Sequence, residues 1–245
     1  MRAEPSHRSE MVSQALLGEP LTYLEHSNEW TKIRLAHDGY EGWILNAQLH
    51  EISEDAFRSM VDAPPTLVAD GINLLIHTQA ENTRLLGAGC VLPHYQDGTI
   101  QFLGDTYGFE GEIASQERTR EAIIRNAYGF LHTPYIWGGR TVQGIDCSGL
   151  SQMAYRLAGI TILRDASQQA TQGEVVSFLE EAEPGDLLFF DNEEGNITHV
   201  GILLSQDRVL HASGSVRIDG LDQTGIYNQD QKRHTHKLRV IKRYL

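Results

Sequence analysis

The chain has 245 residues, 40% of them hydrophobic and only 7 of them Pro. It therefore belongs with folded globular proteins, with length for one large domain or two to three small ones at roughly 100 to 150 residues each. Its net charge of −13 is uneven, −11 over residues 1–115 and −2 over 116–245, which argues against binding nucleic-acid phosphates. No run approaches the roughly 18 apolar residues of a membrane helix, so neither nucleic acid nor membrane is expected as a partner.

The first ten residues are charged throughout and carry no apolar stretch of the kind a secretory signal needs, and only Cys90 and Cys147 occur. Both features fit a reducing compartment, and the expected location is cytoplasmic. Leu21–Leu24, Trp30–Leu35 and Gly42–Leu45 alternate with turn residues, the rhythm of a small β-barrel over 1–55. The polar, acidic stretch from Glu51 to Asp62 and then Pro64-Pro65 read as a boundary. A second β module over 64–114 is expected from Leu74–His77, Ala88–Leu92, Pro93–Tyr95 and Thr99–Leu103.

From residue 115 the texture changes. Ser115–Leu131 reads as a helix with Ala122, Ile123, Ala127 and Phe130 on one face. After the loop Tyr135-Ile136-Trp137-Gly138-Gly139-Arg140, a second helical pattern runs through Leu150, Met153, Ala154, Leu157 and Ala158 and stops at Gly159. Strands follow at Asp186–Phe190, His199–Leu204, Arg208–Ala212 and Leu238–Ile241. A helix followed by antiparallel strands is an α+β layout.

Cys147 falls at the start of that second helix, where unpaired amides and the helix dipole stabilise a thiolate. A nucleophilic thiol also needs a base and a group that orients it. His199 opens one strand and His211 closes the next, with Gln206-Asp207 as the intervening turn. Facing positions of such a hairpin let His211 fix the tautomer of His199.

Five ordered blocks, Pro134–Gly139, Asp146–Leu150, Pro184–Phe190, Thr198–Ile202 and Val209–Ser213, resemble the signature blocks of the NlpC/P60 cell-wall peptidases. The resemblance implies a papain-like α+β domain over about 115–245, with Cys147 as nucleophile, His199 as base and His211 as third polar residue. Arg8–Gln14, Leu17-Gly18-Glu19 and Asp38–Ile44 resemble the bacterial SH3-like modules of a subgroup similar to the dipeptidyl-peptidase VI type. Members of that subgroup cleave murein stem peptides after L-Ala-γ-D-Glu. The resemblance places an amine-binding carboxylate at Asp165, beside Ser167, and makes Glu10 and Tyr40 the candidates to close that pocket. The chain departs from the commonest pattern at Leu163 and Ala166.

Tyr135 and the Cys147 amide are candidates for holding the oxyanion, with packing the alternative for Tyr135. Asp146 and Ser148 either hydrogen-bond substrate main chain or, for Asp146, cap the helix. A zinc site on Cys147, His199 and His211 is an acceptable ligand set, but no CxxC or HExxH spacing accompanies it. His234-Thr235-His236 is a further candidate to grip a metal, with a polar C-terminal loop as the simpler reading. The expected function is thus a cofactor-free and metal-free cysteine endopeptidase acting on murein tripeptides or tetrapeptides with a free N-terminal L-Ala in wall-peptide recycling. A non-catalytic wall or partner binder and a thioester-based acyltransferase are the competing readings. The sequence leaves the diamino acid and the oligomeric state open.

Overall fold

The computed structural model describes residues 1–80 and 82–245, which divide into two compact units, Met1–Ser115 and Gln116–Leu245. In the first unit β1 (Leu21–Ser27), β2 (Trp30–Leu35) and β3 (Glu41–Leu45) form an antiparallel meander with a bulge between Tyr23 and Glu25. Alternation in β2 turns Ile33 and Leu35 fully inward while Arg34 faces water.

The acidic stretch before Pro64-Pro65 folds as the helix α1 (Glu54–Asp62), because the Ser53 hydroxyl accepts from the Ala56 amide and Glu54 and Asp55 fill the first turn. It ends before Pro64-Pro65. A second sheet follows in the spatial order β5 (Thr83–Gly87), β4 (Ile72–His77), β7 (Asp105–Phe109), β6 (Thr99–Phe102). The strand expected at Ala88–Leu92 falls earlier, at β5. The chain turns at Gly89, whose φ of +83° only glycine adopts readily, and Val91 retains a single bridge to Leu67.

The second unit starts with α2 (Arg120–Tyr128), shorter at both ends than the helical pattern because Thr119 supplies the N-cap to Ala122. The pair β8 (Arg140–Thr141) and β9 (Gly144–Ile145) leads into α3 (Cys147–Leu157), every residue of which is buried, and α4 (Ala166–Gln169) comes next. The remaining strands are β10 (Glu174–Val176), β11 (Leu187–Asp191), β12 (Ile197–Ser205), β13 (Arg208–Ser213), β14 (Ser215–Leu221), β15 (Gly225–Asn228) and β16 (Arg233–Arg243).

They pair antiparallel in the order β10-β16-β11-β12-β13-β14-β15, and β15 pairs again with β16, so six strands close into a barrel. Closure removes free edges. One set of alternating side chains, including Leu188, Phe190, Leu203, Val209, Leu221, Ile226 and Ile241, packs inside. The other set, Phe189, Val200, Ile202, Leu210 and Ala212, is equally buried, and α3 packs on β12 and β13. His234-Thr235-His236 therefore lies on a strand, β16, and not in a loop. No helix among the described residues is long and apolar enough to cross a membrane.

Candidate active site

Asp146 builds the position of Cys147. It is the N-cap of α3, and its Oδ1 accepts from the Gly149 amide at 2.6 Å. Its Oδ2 accepts from the Gly138 amide at 2.8 Å, which ties the Gly-rich loop to the helix start. The Arg164 guanidinium, 1% exposed, donates to both carboxylate oxygens at 3.0 and 2.8 Å and to Ser148 Oγ at 2.8 Å. Such bidentate pairing compensates the buried charges. Both oxygens of Asp146 are thus engaged by the protein, which accords with the cap reading of this residue. Ser148 Oγ is likewise held between Arg164 and Asp146.

Gly149 lets this corner close, since a Cβ there would stand 2.2 Å from the Gly139 carbonyl oxygen. Cys147 is consequently the first residue of α3, 6% exposed, with backbone N–H groups of Val200 and Ser148 directed at its sulfur. The Val200 contact sets the sulfur beside the residue that follows His199. Burial, with the Asp146 charge added, pushes the thiol up to about 12, while the two amides and Arg164 pull it back.

Inside the barrel, His199 and His211 meet diagonally. The residue paired with His211 is Gly201 rather than His199, because the turn at Gln206-Asp207 pairs Ser205 with Arg208, and even the register shift between Leu203 and Ser205 leaves the ladder two residues short of a His199–His211 pair. The absent side chain at Gly201 gives His211 room: a Cβ there would stand 3.2 Å from the His211 Cβ. His199 Nε2 and His211 Nδ1 are 2.9 Å apart, and His211 Nε2 lies 3.0 Å from Asp219 Oδ2. A carboxylate only accepts, so His211 donates from Nε2 and, as a neutral ring, accepts at Nδ1. His199 then carries its proton on Nε2, and its Nδ1 holds the lone pair. Arg217 donates to Asp219 Oδ1 at 2.9 Å and Asn228 to Oδ2 at 3.2 Å, keeping that carboxylate ionised and fixed. Burial, then the neighbouring His211 and His236, hold His199 well below the usual imidazole range.

Asp219 and Arg164 had not been singled out as site residues, and His236 had been weighed only as a metal ligand beside His234. His236 stacks on His199 at 4.1 Å with the rings 25° apart. Burial and the nearby His211 bring it down to about 4. Tyr135 is half-buried in the segment before β8, and burial with the Cys147 and Asp146 charges pushes its phenol well up, so it remains a hydroxyl donor.

Asp165 is the partly exposed N-cap of α4, its amide donating to Gln168 Oε1 at 3.0 Å, and Ser167 is exposed on that helix. Glu10 and Tyr40 belong to the first unit. Glu10 is exposed, and its carbonyl accepts from Ala3. Tyr40 is half-buried at the turn before β3, its amide donating to Asp38 Oδ1 at 2.9 Å.

Residues 132–239 match the NlpC/P60 family, and residues 1–49 match the bacterial dipeptidyl-peptidase SH3 domain. The chain is 31% identical to dipeptidyl-peptidase 6 of Lysinibacillus sphaericus, over 93% of this chain and 91% of that protein. It is 29% identical to a gamma-D-glutamyl-L-lysine dipeptidyl-peptidase of Bacillus cereus, over 90% of this chain and 73% of the relative. A crystal structure of an NlpC/P60 family protein from Bacillus cereus shares the fold at a TM-score of 0.81 and 24% identity, covering 96% of this chain and 82% of the other.

Proposed function

Since the chain belongs to the NlpC/P60 family of cysteine peptidases, carries a bacterial SH3 domain and is a peptidase of peptidoglycan peptides, we propose that it hydrolyses the bond between γ-D-Glu and the diamino acid of murein stem peptides whose L-Ala amine is free. The single observation that carries the catalytic reading is the ordered string from His199 through His211 to Asp219, beside a cysteine at a helix N-terminus.

In this mechanism His199 Nδ1 takes the proton of Cys147 as the sulfur attacks the γ-carbonyl of D-Glu. The developing oxyanion is met by the Cys147 amide and the Tyr135 hydroxyl. His199 then gives the proton to the leaving amine of the diamino acid, and the thioester forms. Water, deprotonated by the same nitrogen, releases L-Ala-γ-D-Glu and restores the thiol. The His211–Asp219 pair holds His199 in the tautomer that makes Nδ1 basic and stabilises the imidazolium when it forms.

Selectivity for a free amine is assigned to Asp165, with Ser167 beside it. A site built to pair an ammonium group rejects a capped substrate strongly, because its own charge is then left without a partner.

The test is incubation with L-Ala-γ-D-Glu-diamino acid tripeptide, free and N-acetylated, with products read by mass. Cleavage at the γ-D-Glu bond is expected, abolished in Cys147→Ala and on the order of 100-fold slower for the acetylated peptide. Equal rates on both peptides would remove the amine pocket, and turnover by the alanine variant would remove the mechanism.

A further inference from the structure

His236 is the one imidazole beside the relay that the peptidase mechanism leaves without work. One ring nitrogen from each of His199, His211 and His236 lies within 4.8 Å of the others. His199 and His211 are buried and His236 is half-buried, so the three form a partly enclosed nest of nitrogen donors within the barrel.

The hydrogen bonds around the nest orient its lone pairs. His211 gives its Nε2 proton to Asp219 and turns Nδ1 inward. His236 Nδ1 lies 2.9 Å from Thr235 Oγ1, whose hydroxyl is directed at the Ile226 carbonyl 3.5 Å away. That hydroxyl therefore accepts the Nδ1 proton of His236, and Nε2 of that ring is left as a donor. Metal-binding histidines are held in this way, with the second nitrogen fixed by a carboxylate or other acceptor.

We propose that His199, His211 and His236 form an inhibitory site for a divalent transition ion of the zinc class. In a tetrahedral zinc site with Zn–N near 2.0–2.1 Å, ligand nitrogens stand about 3.3 Å apart. The His199 Nε2–His211 Nδ1 separation of 2.9 Å has to widen by about 0.4 Å to reach that spacing. The remaining separations are at most 4.8 Å and close with small torsional adjustments, leaving a fourth position for water. Three neutral imidazoles select ions that favour nitrogen over oxygen donors, so Zn²⁺ binds and Mg²⁺ does not.

Inhibition follows from the tautomer. An ion on His199 Nε2 displaces the proton held there, which solvent returns to Nδ1 of the same ring. Metal–nitrogen bonds replace the hydrogen bond from His199 Nε2 to His211 Nδ1, and the lone pair that receives the Cys147 proton is gone. The ion thus silences the peptidase without touching the sulfur. This consequence rests on His199 being the base, whereas the binding itself does not. The site differs from a zinc cofactor on Cys147, His199 and His211: its third ligand is His236, and its effect is to stop turnover.

The experiment uses the full chain, stripped with a chelator and titrated calorimetrically with Zn²⁺ and with Mg²⁺. The expected result is one Zn²⁺ per chain for the unmodified protein and for Cys147→Ser, no response to Mg²⁺, and affinity at least about 10-fold weaker in both His236→Phe and His236→Gln. The phenylalanine keeps the stack on His199, so a folded variant is available. Unchanged affinity in a folded His236→Phe, or loss of binding in Cys147→Ser, would overturn the site. Turnover of the unmodified enzyme is expected to vanish on zinc saturation and return with chelator. Cleavage that persists in the saturated protein would overturn the inhibition and His199 as base, while the calorimetry still decides the site.

Discussion

The two halves of the barrel interior are made by the same strands and do opposite work. Toward one end, Leu188, Leu203, Val209, Leu221, Ile226 and Ile241 close on one another with almost no exposure. Toward the other, the same inward positions are His199, His211, Asp219, Asn228 and His236, joined by directed hydrogen bonds and ring contacts. Two residues along a strand separate the regimes, as Val209 and His211 show. The apolar half supplies stability through burial, which is indifferent to direction. The polar half depends on direction, since each proton position fixes the next. The stable half is what allows the directed half to be dry.

The largest effect that separates them is expected at Asp219→Asn. The amide offers His211 a donor where it now finds only an acceptor, so the His211 tautomer, and with it that of His199, is set wrongly. A fall in kcat of about 10²–10⁴ is expected with the fold intact by circular dichroism, in line with the same exchange in a serine protease triad. A change under threefold would show that the string does not govern the base. The converse is Leu203→Ala, a fully buried side chain of the apolar half. Urea unfolding should show a loss of about 2–5 kcal/mol from the lost burial and the cavity left behind, with kcat of the folded fraction within about threefold. A large fall in kcat without loss of stability would mean that the two halves are not separable.

What was legible in the sequence follows from the same division. Cys147, His199 and His211 stand out because each sits in a local block: a cap followed by a helical stripe, or strands around an evident turn. Asp219 was not visible, because it reaches His211 only through the β13–β14 register, where His211 pairs with Arg217 and the carboxylate arrives diagonally. A signal was present in the alternation of Val209 and His211, Gly214 as a tight turn, then Arg217 and Asp219, but it carries meaning only once β14 is recognised. His236 was read as loop, and apart from His199 and His211, for a longer-range reason. It comes from the strand that closes the barrel, whose polar start reads as loop when its partners β15 and β11 are unknown. Arg164 is silent in sequence too, since an arginine between Leu163 and Asp165 gives no hint that it will be buried against Asp146. In the first unit, Trp30–Leu35 was readable by alternation, whereas the helix within Glu51–Asp62 was not read because α1 buries none of its residues fully and its polar composition masks the Ser53 cap.

The smallest effect alters no residue and tests the dryness of the polar half. Burial pushes the Cys147 thiol up to about 12, and burial with two neighbouring rings pushes His199 well below 6.5. A raised acid is protonated at neutral pH and a lowered base is unprotonated, so both shifts favour the uncharged thiol–imidazole pair. Desolvation is the larger cause in each case, which means that the proton passes to His199 during attack rather than before it. Alkylation of Cys147 by iodoacetamide in chelator-treated enzyme should therefore quicken about tenfold per pH unit between about pH 6 and 9, as thiolate becomes available. A thiolate–imidazolium pair formed in advance would instead give a rate that levels off below neutral pH. That plateau would mean the helix N-terminus and the Val200 and Ser148 amides outweigh burial at the sulfur.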